Sequence, residues 1–205
     1  MAQALARHVH QNLPLYFLVG CAFVVGILLG AAVVLLLGKG QEVELAAHLD
    51  NLFRQIVVAE PVAGAVTARA ALKGIKEIGF FWILGLTVIG SPLIVASVLV
   101  KGFVLGFTVA FLVQEKALEG IVLSLLSVMP GNIIRLPAIL AGAVLALSFS
   151  WSLVKGNLGL KAGSFLGQLV AYSLAMAFLA LVVMGSGWIE AYLVPPLARI
   201  ALQYF

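Results

Sequence analysis

The chain has 205 residues, of which 63% are apolar and 10% charged, with a formal net charge of +4 and a mean hydropathy of +1.19. A soluble domain of this length carries about 25% charged residues, so the balance excludes a water-soluble globular protein and implies a polytopic membrane protein. The basic residues are scattered singly rather than blocked, which also argues against a nucleic-acid surface.

Residues 1–14 form a short polar lead with Arg7, His8 and His10, ending at Pro14, a residue suited to the first turn of a helix. From Leu15 to Leu37 no residue is charged. At about 1.5 Å per residue this run crosses a hydrocarbon core of about 30 Å, and it is too long for the core of a cleaved signal peptide. The sole cysteine, Cys21, lies inside it and is expected as a small core residue.

Residues 38–77 are the only long polar stretch. Within it Leu45, Leu49, Leu52, Phe53 and Ile56 repeat at helical spacing, with Glu44, His48, Asn51, Arg54 and Gln55 opposite. The pattern predicts an amphipathic outer helix within an arm over 41–77 that lies on the lipid, packs on the spans or docks a partner. Pro61 interrupts it, and an alanine-rich helix with Arg69, Lys73 and Lys76 follows.

Residues 78–100 read as a second uncharged span kinked at Pro92, with Lys101 marking a membrane face. The next apolar run, 102–113, is too short to cross alone. It reaches across if the helix continues to about Leu118 with Gln114, Glu115 and Lys116 in the headgroups.

The segment MPGNIIRLPAI, 129–139, sits between two apolar runs. Pro130, Gly131 and Pro137 are expected to break helical hydrogen bonding, which lipid tolerates only where the freed groups are buried in protein or line a wet cavity. Residues 120–135 therefore read as a re-entrant half-membrane segment. Asn132 and Arg135 either cap that broken helix or line a transport path or partner contact.

Two further spans, 136–154 and 164–184, are joined by a loop with Lys155 and Lys161 and no acid, a pattern that prefers the cytoplasm. With that loop, Arg7 and Lys101 inside, the chain makes five crossings, amino terminus cytoplasmic and carboxyl terminus extracytoplasmic. If 120–135 crosses fully, there are six, and the lysine loop lies outside. The tail, 185–205, carries Trp188, Tyr192, Tyr204 and Phe205, suited to an interface.

No active site assembles. His8 and His10 face different ways on a helix and do not share a metal, no serine has a nucleophile context, and no glycine loop cradles a phosphate. The chain is expected to be no enzyme and to hold no cofactor or metal. Three GxxxG pairs occur, Gly26 with Gly30, Gly102 with Gly106, and Gly163 with Gly167, barely more than the roughly two that chance yields. Close internal packing is the expected use, and a homodimer the other.

The run LGLTVIGSPLIVASVLVKGFVLGFTVAFLV (84–113), with SVMPGN at 127–132, LSFS at 147–150 and EAYLVPPL at 190–197, closely resembles the stage II sporulation protein M family. The resemblance covers nearly the whole chain and is strongest over 84–150. It implies a multi-span membrane platform of the engulfment machinery, located at the sporulation septum and engulfing membrane. That platform brings the peptidoglycan-degrading stage II sporulation proteins P and D to the septum. No catalytic residues are established for the family, so none carry over.

The expected protein is thus an all-α polytopic integral membrane scaffold in one transmembrane domain, 1–205. It has about five transmembrane helices, a re-entrant segment with Pro130, Asn132, Arg135 and Pro137, and an outer arm presenting Leu49, Phe53 and Ile56 to partners. The alternative is a transporter, channel or permease subunit with a substrate path at 130–137, because discontinuous helices often mark substrate sites. A water-accessible cavity lined by Asn132 and Arg135 favours that alternative; a dry interior favours the scaffold.

Overall fold

The computed structural model describes residues 12–36, 63–87, 89–154 and 164–204. Every regular element among them is helical: α1 (Leu13–Leu35), α2 (Ala63–Gly85), α3 (Gly90–Val154) and α4 (Ser164–Tyr204). The amphipathic helix around Leu49, Phe53 and Ile56 lies outside the described residues.

The N-terminal turn of α1 carries Pro14 where a missing N–H costs nothing. Its buried stripe is Val19, Gly26, Gly30 and Val34, and Phe17, Leu28 and Leu35 point outward. Cys21, expected in the core, is exposed. The buried stripe packs against α3 at backbone distance. A Cβ on Gly26 would strike the Leu99 carbonyl, one on Gly30 the Phe103 carbonyl, one on Gly102 the Phe23 carbonyl and one on Gly106 the Ile27 carbonyl. Two GxxxG pairs therefore face each other inside one chain. In lipid, where burial of apolar surface drives little association between helices, such contact is a main source of packing energy. Gly167 has nothing within 4 Å.

Helix α3 is 65 residues long, about 97 Å if straight. Yet the hydroxyls of Ser91 and Ser150 meet at 2.9 Å, and Thr108 and Asn132 line one cleft. The helix therefore doubles back between Thr108 and Asn132, giving two antiparallel arms, Gly90–Gln114 and Asn132–Val154, each long and apolar enough to cross a membrane. The second arm is the centre of the bundle, with 50% of its most apolar window buried against 22% in the other three candidate spans, which include Leu13–Leu35 and Leu166–Trp188.

Several expectations are corrected here. Residues 78–100 are not one kinked span: α2 ends at Gly85, and α3 starts at Gly90 after a tight turn. Pro92 lies in the first turn of α3, where it removes no intrahelical bond. The turn is close because Gly90 abuts the Leu84 carbonyl and Gly85 abuts Tyr172 and Ala146. The helix also continues through Pro137, while Pro130 and Gly131, though helical in backbone, lie within the stretch over which α3 doubles back. Each proline frees one carbonyl four residues earlier, and a helix can absorb that by bending, which leaves fewer orphan groups than ending would. Likewise, 164–184 and the tail belong to one helix that continues through Pro195 and Pro196 to Tyr204.

Contacts fix the directions. α1 runs parallel to the first arm of α3; the second arm returns antiparallel to it. α4 is antiparallel to that second arm, with Phe149 stacked on Tyr172 at 4.4 Å and Gly142 near Leu179 and Met176. The start of α1, the 86–89 turn and the end of α3 thus share one end of the bundle. A polar layer ties that end together: Ser148 Oγ donates to Asn12 Oδ1 at 2.9 Å, and Ser150 Oγ donates to the Thr87 carbonyl at 3.0 Å. Both serines belong to the LSFS stretch.

Candidate functional site

Long apolar windows leave few places for charge, so the charges that do occur between them have strong reasons to meet. α2 carries Glu77 one position from a buried stripe of Gly74, Ile78, Phe81 and Gly85. The turn at 86–89 folds the first arm of α3 back along α2 and brings Lys101 opposite it. Lys101 Nζ lies 3.1 Å from Glu77 Oε1. The second arm brings Arg135 to the same oxygen, with Nη2 at 3.3 Å.

All three side chains are at least three-quarters buried. Two cations share one carboxylate oxygen, while Glu77 Oε2 is buried and accepts no hydrogen bond among the described residues. Counted from Gly90, Lys101 is the twelfth residue of the 25-residue span Gly90–Gln114. Instead of marking a membrane face, it sits near the middle of a candidate crossing. Arg135 is an ion-pair partner inside the bundle.

Two clefts meet at this triad. One, of about 410 Å³, runs between the arms of α3 and is lined by Asn132, Arg135, Thr108, Val104, Lys101 and Glu77. The other, of about 810 Å³, lies between α2 and the first arm and shares Glu77, Val100 and Lys101 with it. The structure thus brings Asn132 and Arg135 together, as the sequence reading paired them. Pro137 is exposed on the second arm, and Pro130 lies within the helical backbone.

Glu77 and Lys101 escaped the sequence reading, one assigned to the polar arm and the other to a boundary. The available signal was their position: opposite charges at the edges of uncharged windows in a membrane protein have reason to pair across helices. Among the described residues no group of three or more His, Cys, Asp or Glu is placed to hold a metal. The chemistry open to this site is electrostatic, namely the holding of an anionic or dipolar group beside Lys101 and Arg135.

The family model described as Stage II sporulation protein M matches residues 19–195, from within α1 to near the end of α4. Neither a curated protein nor a solved structure matches the chain.

Proposed function

We propose, from the premise that this chain belongs to the stage II sporulation protein M family, that it is a non-enzymatic membrane scaffold of engulfment. In this reading it recruits peptidoglycan-degrading partners, the stage II sporulation proteins P and D, to the septal membrane. The family match across nearly the whole bundle carries the reading. The frame suits it: the two GxxxG pairs lock α1 to α3, and the serine layer ties one end, so surfaces at the opposite end are held in fixed relation.

α2 serves as the second of five crossings in this reading, although only the other four segments are long and apolar enough among the described residues to cross by length and composition. The amino terminus and the 155–163 loop lie in the cytoplasm by the basic character of that loop. Residues 63–77, expected in the outer arm, belong to α2; in this reading the remaining arm, 41–62, and the tail 185–205 face outward, where wall-degrading partners work. The test is co-purification of those partners with a variant carrying polar replacements at Leu49, Phe53 and Ile56. Lost recovery from a well-folded variant supports the scaffold; unchanged recovery overturns the arm as its docking surface.

One observation favours the second reading, passage of a solute or amphiphile: the cleft lined by Asn132 and Arg135. The variant R135Q separates the two readings, because a scaffold keeps its partners when the cleft loses this cation, whereas a transporter loses flux.

A further inference from the structure

The larger cleft is a groove between α2 and the first arm of α3 rather than an enclosed cavity. Phe81 is fully buried at its base, whereas Leu72, Phe80, Leu93 and Val100 stand 48–56% exposed along its edges. From Leu72 to Phe81 the α2 flank runs about 13 Å, more than two turns of helix. The facing flank offers the small side chains of Ala96 and Ser97, which let another backbone approach closely. An open furrow of this length between two helices is the surface into which the ridge of a third helix packs.

Lys76 gives the furrow its chemistry. It lines the groove, is exposed and makes no ion pair among the described residues. Its neighbours fix its depth. Gly74 abuts Val183, inside the candidate crossing Leu166–Trp188, and Glu77 meets Lys101, inside Gly90–Gln114. Lys76 lies between those two contacts, about 13 Å of helix from the end of α2 at Gly85. A cation at the depth of apolar crossings is costly without a partner.

The source of that partner is narrow. A phospholipid headgroup stays outside the hydrocarbon core. A second copy of this chain has no carboxylate to give, because Glu77 is the only acidic residue within Leu13–Leu35, Ala63–Gly85, Gly90–Gln114, Asn132–Val154 and Leu166–Trp188. That one already faces Lys101 and Arg135.

We propose that the groove takes a membrane-spanning helix of a partner protein, one carrying a carboxylate within its apolar run that pairs with Lys76. The apolar edges pack the helix, and the lysine selects it and sets its register. This docking lies within the membrane, apart from the outer arm of the scaffold reading, so failure of either leaves the other standing.

The test uses the full chain in lipid vesicles, with Cys21→Ser and Ser97→Cys, and a synthetic leucine–alanine helix of about 20 residues bearing a cysteine one turn from a central glutamate. A twin peptide carries leucine in place of the glutamate. Oxidation is expected to join the glutamate peptide to residue 97 about tenfold more than its twin. Little joining is expected when the protein's cysteine is placed instead by Phe178→Cys, at an exposed position on α4. Lys76→Gln lowers the glutamate peptide to the level of its twin, while Lys76→Arg retains the difference. Ala96→Trp fills the groove without changing charge and also lowers the yield, which keeps the test decisive if the lysine variant fails to fold. Equal joining of the two peptides, equal joining at 97 and 178, or an undiminished yield in a folded Lys76→Gln or Ala96→Trp variant would overturn the proposal. Disulfide dimers of the Ser97→Cys protein without peptide would overturn it too, by assigning the groove to a second copy.

Discussion

Lys101 Nζ lies 3.1 Å from Glu77 Oε1, and the two residues come from antiparallel helices joined by the turn at 86–89. Because Arg135 approaches the same oxygen at 3.3 Å, removing the carboxylate leaves two cations facing each other near the middle of the bundle. Glu77→Ala is therefore expected to cost about 3 kcal/mol, at the lower end for a broken buried pair because the side chains keep some exposure. The charge exchange E77K/K101E restores one opposite pair and recovers part of the loss. Thermal melts of detergent-purified variants measure both; equal stability of E77A and the native chain would remove the triad as a structural element.

Glycine substitutions on α1 separate packing from helix propensity. Gly20 has nothing within 4 Å, whereas a Cβ at Gly26 strikes the Leu99 carbonyl. Gly20→Ala should change stability by no more than about 0.5 kcal/mol. Gly26→Val should force α1 from α3 and abolish a monodisperse peak in gel filtration. Similar behaviour of the two variants would contradict the backbone contact.

The reversal of α3 can be tested covalently. In a Cys21→Ser background, Ser91→Cys with Ser150→Cys places two sulfurs where hydroxyls now sit 2.9 Å apart. Oxidation should form an intramolecular disulfide, seen by intact mass and by a protease site inserted between the arms whose fragments stay joined until reduction. Fragments that separate without reductant would rule out the antiparallel arms.

Asn12 meets Ser148 at one end of the bundle, so chain preceding α1 and chain following α3 emerge on the same side. In the same cysteine-free background, single cysteines at His8 and Leu158 are expected to resist an impermeant maleimide in intact cells. One at Ala117 is expected to react. Labelling of Leu158 but not His8 would break the shared-end arrangement; labelling of both with protection of Ala117 would invert the molecule in the membrane.

Much of the membrane architecture was legible without coordinates, because long apolar runs must bond every backbone group internally and so form helices, although the uncharged window 78–100 divides at a turn between two of them. Pro14 at the start of α1 and close packing through Gly26, Gly30, Gly102 and Gly106 also followed from local chemistry. The breaks did not. Pro92 and the 129–139 segment contain residues that start, bend or end a helix equally well by sequence, and the neighbours decide. Pro92 begins α3 because Gly85 can nest against Tyr172 and Ala146, while Pro137 sits in a helix that continues past it.

Composition and window length alone determined that this chain lives in a membrane as apolar helices, since those properties depend on the solvent and on no distant contact. Which charges meet was decided only by the tertiary fold. Glu77, Lys101 and Arg135 lie on three separate helical segments, and their convergence depends on the turn at 86–89 and the doubling back of α3. Coulomb attraction at about 3 Å is set by the spatial register of neighbouring helices, which no single segment encodes.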